Sequence, residues 1–281
     1  MRLHVTIPGI SAVAVIAALG ASATAAAAQD ASLPPDAESA LARLNSSPRH
    51  AEWQVIRTGP GDSVRAFVVY PETDEPAPVV LVVHEIYGLT NWVRGVADQL
   101  AADGFIAIAP DLLTMENIPN DENGDPDRQQ ATSRIRELDR ADVHRQLRAV
   151  ADWGMALPAA TDSYGIVGYC WGGSTSFMHA VESPELGAAV VYYGGSPDTE
   201  LLARIDAPVL GLYGGDDERV NATIPAADSA MTALGKTYDV NIFEGAGHGF
   251  LRQQNGQDGA NMAATQEAWP LTVQFFREHL R

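Results

Sequence analysis

Tyr164-Gly165-Ile166-Val167-Gly168-Tyr169-Cys170-Trp171-Gly172-Gly173 is the stretch that decides how this chain folds. A short apolar run leads into a glycine-flanked turn, and a helix start follows. The turn carries the only cysteine of the 281 residues. Gly168-Tyr169-Cys170-Trp171-Gly172 has the Gly-x-nucleophile-x-Gly form of a nucleophile elbow, with sulfur in place of the hydroxyl. Glycine is needed on both flanks because the nucleophile's backbone is strained and neighbouring Cβ atoms would collide with it. The N–H of the next residue, Trp171, then faces the oxygen of a bound carbonyl. This reading makes Cys170 a nucleophile and requires a base, an acid and a second oxyanion donor elsewhere.

Outward from the elbow, apolar runs alternate with helix-like segments. Val79 to Val83 is continuously apolar, as a central strand covered on both faces should be. Phe105 to Ala109, Ala188 to Tyr193, Pro208 to Tyr213 and Tyr238 to Phe243 repeat the pattern. Val64 to Tyr70 contains Arg65, which suits a strand near a sheet edge. Helices are predicted at Trp92 to Asp103, Ala131 to Leu157, Ser174 to Glu182, Ile224 to Leu234 and Gln266 to Leu280. Such alternation predicts an α/β fold, a mostly parallel sheet with helices on both faces. Neither an internal repeat nor a linker divides it.

Functional groups of such a sheet gather at the C-terminal ends of its strands. Gly214-Gly215-Asp216-Asp217 follows one strand and Gly247-His248-Gly249 another. A free thiol is mostly protonated at neutral pH. His248 can take its proton and return it to a leaving group. Asp217 would orient the imidazole and stabilise the imidazolium, with Asp216 as the alternative acid. Each has a plain reading alone: an inert thiol, a turn histidine, a helix-capping aspartate. Their order (nucleophile, acid, histidine) and their shared position at strand ends favour catalysis. His84-Glu85-Ile86 follows Val79 to Val83, where the Ile86 N–H can supply the second oxyanion donor. Glu85 is a carboxylate that a plain triad does not need. His84 reads as a packing residue, and His144, His179 and His279 as structural or exposed ones.

With these residues in view, the chain resembles the dienelactone hydrolase family. The matching pieces are His84-Glu85-Ile86-Tyr87-Gly88, Ala109-Pro110-Asp111-Leu112, Gly168 to Gly173, Gly214 to Asp217 and Gly247 to Arg252. The resemblance implies an α/β-hydrolase fold and a triad of Cys170, Asp217 and His248. It implies that Glu85 accepts the thiol proton when substrate binds, and that attack on a lactone gives a thioester. It implies arginines for the substrate carboxylate: Arg252, and as the nearest second candidate Arg128. It calls for no cofactor and no metal. Departures are a bulky Trp171 after the nucleophile and an export signal unusual for the family. The rival readings are an exported esterase or thioesterase, and a non-catalytic or redox-sensing module on the same fold.

The remaining features concern placement. Residues 1–28 read as a signal peptide: Arg2, an apolar stretch from Ile10 to Leu19, then Ala26-Ala27-Ala28. This predicts a periplasmic or secreted protein without lasting membrane association. Residues 29–50 read as a polar lead-in with one short helix, and 51–281 as the catalytic domain. A net charge of −18 argues against nucleic acid and anionic membrane surfaces as partners, leaving a small-molecule substrate. Asp121, Asn123, Asp125 and Asp127 sit in a loop that lacks a calcium loop's glycine and glutamate, since Pro126 and Thr132 hold those positions. It reads as a solvated acidic loop.

Overall fold

The computed structural model describes His4 and residues 30–280. The signal-peptide expectation therefore lies outside the described residues. In chain order the elements are α1 (Ala40–Ser46), β1 (Ala51–Gly59), β2 (Asp62–Val69), β3 (Ala77–Val83), α2 (Asn91–Ala102) and β4 (Ile106–Asp111). Then come α3 (Arg128–Ile135), α4 (Arg140–Met155), β5 (Ala160–Tyr169), α5 (Trp171–Glu182), β6 (Ala188–Tyr192) and β7 (Val209–Gly214). The chain closes with α6 (Glu218–Asn221), α7 (Ile224–Ala233), β8 (Tyr238–Phe243) and α8 (Ala260–His279).

The strands form one eight-stranded sheet in the order β1-β2-β4-β3-β5-β6-β7-β8. Pairing is antiparallel at β1–β2 and β2–β4 and parallel from there on. Strand β3 explains why the middle is so apolar. Val80 and Val82 enter one core with Trp92, Val93 and Phe276 of α2 and α8. Val79, Leu81 and Val83 enter the other with Leu147, Phe177 and Ala227 of α4, α5 and α7. Both faces are covered, so alternation disappears from the sequence. Among the described residues, no helix is long and apolar enough to cross a membrane.

Strand β2 lies near the edge, as expected: β1 alone lies outside it, and Arg65 of β2 places its guanidinium 3.8 Å from the ring centre of Trp53 on β1. Two expectations are amended. The single long helix from Ala131 to Leu157 is two helices. Asp139 starts the second, its Oδ1 accepting the N–H groups of Ala141 and Asp142 at 2.8 and 3.1 Å. Residues 30–50 contain the expected short helix α1, but they are docked rather than a loose lead-in. Leu33, Pro34 and Pro35 are buried, and the Trp92 Nε1–H donates to Pro35 O at 3.0 Å.

Candidate active site

The elbow is built by close approach of backbones. Cys170 has φ 57° and ψ −114°, the left-handed side that a non-glycine residue rarely occupies. A Cβ on Gly168 would stand 1.9 Å from Gly172 O, and one on Gly172 would stand 2.4 Å from Val83 O. Only glycine fits at either place. The Cys170 N–H donates to Tyr192 O at 3.1 Å, and Cys170 O accepts the Ser174 N–H at 3.1 Å. The nucleophile's backbone is thus tied to β6 on one side and to α5 on the other.

Burial pushes the Cys170 thiol up to about 11, and the negative charge of Glu85 adds to this. The Trp171 N–H, directed at the sulfur, and the Arg219 guanidinium pull the other way. The resting group is a neutral thiol.

The other two members of the expected triad sit where β7 and β8 end. His248 Nδ1 lies 2.5 Å from Asp217 Oδ2. That contact places the donor N–H on Nδ1 and leaves Nε2 as the basic nitrogen. Asp217 is buried and also accepts the Val220 N–H at the start of α6, at 3.4 Å. Asp216, the alternative acid, is exposed, and its backbone N–H is spent on Ala246 O at 3.0 Å. Among the described residues, the histidine is paired with its acid, and no hydrogen bond joins it to Cys170.

Glu85 lies near enough to the thiol for its charge to act on it. It is 3% exposed. Burial raises its pKa to about 7, against the charge and side-chain hydrogen bonding of Arg252 and the charge of Arg128, which lower it. Arg252 Nε approaches Glu85 Oε2 to 2.8 Å, yet its N–H is not aimed to make a hydrogen bond. The pair has charge contact without good geometry. Arg128, the first residue of α3, lies 3.8 Å over the Tyr87 ring, and Arg252 lies 5.4 Å from the same ring. Both arginines singled out in the sequence therefore lie over one tyrosine, two residues from Glu85.

The acidic loop explains how Arg128 reaches that place. Asp125 Oδ1 accepts the Asn91 N–H at 2.5 Å, and Asn123 O accepts from Asn91 Nδ2 at 3.0 Å. The loop is pinned on the start of α2 rather than merely solvated, and Asp127 then caps α3 through the Gln130 N–H at 2.9 Å. Among the described residues, no group of three or more His, Cys, Asp or Glu side chains is arranged to hold a metal ion.

The expected oxyanion donors are held by His84. This residue is fully buried, and burial lowers its pKa, so it is neutral. Its Nε2 accepts the Leu112 N–H at 3.3 Å, which leaves the proton on Nδ1 to be donated to Glu85 O at 2.9 Å. Its ring stacks on Trp171 at 5.7 Å. His84 packs and bonds locally, as its sequence position suggested. Tyr193 is a site residue the sequence reading passed over. It has φ 38° and sets its ring 5.2 Å from that of His248. Its position as the last residue of the apolar run Ala188 to Tyr193, at the same sheet end as Cys170, was the available signal.

Residues 64–280 match the model of the dienelactone hydrolase family. The chain is 29% identical over 231 residues to an Escherichia coli protein whose name assigns it, provisionally, to the carboxymethylenebutenolidases; the match covers 78% of this chain and 84% of that one. A Methylorubrum extorquens protein of the same name is 31% identical over 229 residues, 77% of either chain. A Klebsiella pneumoniae structure titled, with the same reservation, a dienelactone hydrolase aligns with a TM-score of 0.71 at 28% identity, covering 82% of this chain and 98% of its own. With its α/β-hydrolase fold and a match running from β2 to the end of the last helix, this chain belongs to the dienelactone hydrolase family and is a hydrolase.

Proposed function

We propose that the protein hydrolyses a small lactone or ester bearing a carboxylate, through Cys170, His248 and Asp217, with Glu85 as the base that activates the thiol. The observation that carries this reading is the position of Glu85: buried, 2.8 Å from Arg252, and close enough to Cys170 for its charge to raise the thiol. Substrate carboxylate takes the arginine and loosens its hold on Glu85. The freed carboxylate accepts the thiol proton, and the thiolate attacks the carbonyl carbon. The N–H groups of Ile86 and Trp171 hold the resulting oxyanion. The ring C–O bond breaks, the leaving oxygen departs as an enolate, and the proton held by Glu85 returns to it. His248, oriented by Asp217, then takes a proton from water as it attacks the thioester. The sulfur leaves as a thiolate and takes the proton that His248 accepted from water, which restores both groups. No cofactor enters these steps.

The test is a substrate panel of dienelactones and simple aryl esters, with a Cys170→Ala control. Cysteine-dependent turnover that favours the carboxylate-bearing lactones is the expected result. Turnover of aryl esters alone would remove the substrate assignment and leave an esterase. Absence of turnover, with ready oxidation of the thiol, would favour the redox-sensing reading. We also propose that residues 1–28 direct export; fractionation of cells making the full chain should place the protein outside the cytoplasm, shortened at its N-terminus.

A further inference from the structure

The match to the family begins at residue 64, so residues 30–63 lie outside it. Part of that segment touches the candidate site. Pro34 and Pro35 are buried, and their rings preset the backbone in an extended course. A Cβ on Gly95 of α2 would stand 2.5 Å from Pro35 Cγ, so the segment lies directly on that helix. Trp92 holds it there through Pro35 O.

The same short segment reaches the loop that follows His248. The Ala37 N–H donates to Arg252 O at 3.0 Å. The buried Gln254 side chain donates to Pro34 O at 3.0 Å, and Asn255 Nδ2 donates to Asp36 Oδ2 at 3.3 Å. Three of four successive loop residues, Arg252 to Asn255, are therefore bonded to residues 34–37. The loop has a second anchor, Asn261, which accepts the Gly247 N–H at 2.9 Å and donates to Gln253 O at 2.7 Å. That anchor acts on the residues around Arg252 and not on its own carbonyl.

We propose that residues 33–37 are a positioning strap for Arg252, fixing its backbone so that its guanidinium meets Glu85 off-axis and stays available to a substrate carboxylate. The role rests on the reading above that Arg252 receives that carboxylate. The strap touches neither substrate nor thiol; it acts through the arginine. Arg252 Nε stands 2.8 Å from Glu85 Oε2 without an aligned N–H, the geometry that a fixed backbone on the arginine would hold.

Ala37→Pro in the full chain removes the N–H that Arg252 O receives, at an exposed position where the ring meets solvent. The probes are a dienelactone acid and its methyl ester, which share the reacting ring and differ in charge. For loss of one positioning hydrogen bond, kcat/KM for the acid should fall about fivefold, and that for the methyl ester should stay within about twofold. Ala37→Gly keeps the N–H and should match wild type on both. Pro35→Ala, which loses the ring seated on Gly95, should shift the two substrates in the same unequal way if Ala37→Pro does not fold. An equal fall on acid and ester, or no change on either, would overturn the strap. Arg252→Met separates the two claims. If it discriminates acid from ester while the strap variants do not, only the strap falls; if it does not discriminate, the carboxylate site falls and takes the strap with it.

Discussion

The two sides of Cys170 are made in opposite ways. On one side the elbow is fixed by main chain: glycines with no room for a Cβ, a left-handed cysteine, and hydrogen bonds to β6 and α5. On the other, Glu85, Arg252, Arg128 and Tyr87 meet through side chains, with an ion pair and two cations over one ring. Backbone contacts of this density hold one geometry. Side-chain charge contacts have several arrangements of similar energy. The contrast suggests a division of labour, with aim on the rigid side and activation on the adjustable one.

Breaking the rigid side should cost most. Cys170→Ala should lower kcat by about 10⁴-fold or more, since the attacking atom is gone; steady-state assay on the favoured lactone measures it. Asp217→Asn keeps the shape but favours the wrong imidazole tautomer, and kcat should fall by about 10³ to 10⁴. The same assay, with a thermal melt to confirm folding, decides it.

The adjustable side should show smaller and more conditional effects. Glu85→Gln should lower kcat by about 10²-fold, the range of a lost general base. It should also bring the Cys170 thiol down from about 11, because Glu85 is ionised at the pH where the thiol titrates and its charge raises it. Alkylation by iodoacetamide across pH reads this, and an unchanged or higher thiol pKa would separate Glu85 from the sulfur. The same substitution sharpens the comparison through stability. Glu85 titrates near 7 in the folded chain, above its ordinary value of 4.5, so the folded state holds the extra proton in that interval. Its contribution is present below about pH 4.5 and lost as pH rises through 7. The stability of Glu85→Gln relative to wild type should therefore rise between pH 4.5 and 8, by up to about 3 kcal/mol. Denaturant melts at the two pH values test the sign. Arg128→Met, which removes the cation from Tyr87, should be mildest, costing about 1 kcal/mol or less and raising KM for acid substrates a few-fold.

Legibility in the sequence follows the same divide. The central strands and the elbow could be read because a fully buried strand is continuously apolar and a Cβ-free turn must be glycine. Strand β1 could not: its residues alternate, and Val55 and Trp53 face solvent despite being apolar. The break between α3 and α4 was hidden because both segments look helical and only the cap at Asp139 separates them. Residues 30–50 looked like a lead-in because their polar composition concealed Leu33 and two prolines that bury. Asp217 was separable from Asp216 only by geometry. Glu85 was visible as a residue, but its misaligned contact with Arg252 depends on a loop and a segment far apart in the chain. Local motifs pointed to Glu85 and Arg252 as residues; only long-range packing shows how the two meet.

A thiol held near 11 is about one part in ten thousand thiolate at neutral pH. Peroxides and alkylating electrophiles react with thiolate, so they meet a nucleophile that is nearly inert. On the mechanism proposed above, the burial that makes substrate binding a precondition for attack also acts as chemical armour. If export and the proposed mechanism both hold, such an enzyme can keep a solitary cysteine in oxidising surroundings without a partner sulfur to repair it, because its reactivity is switched on by the molecule it consumes.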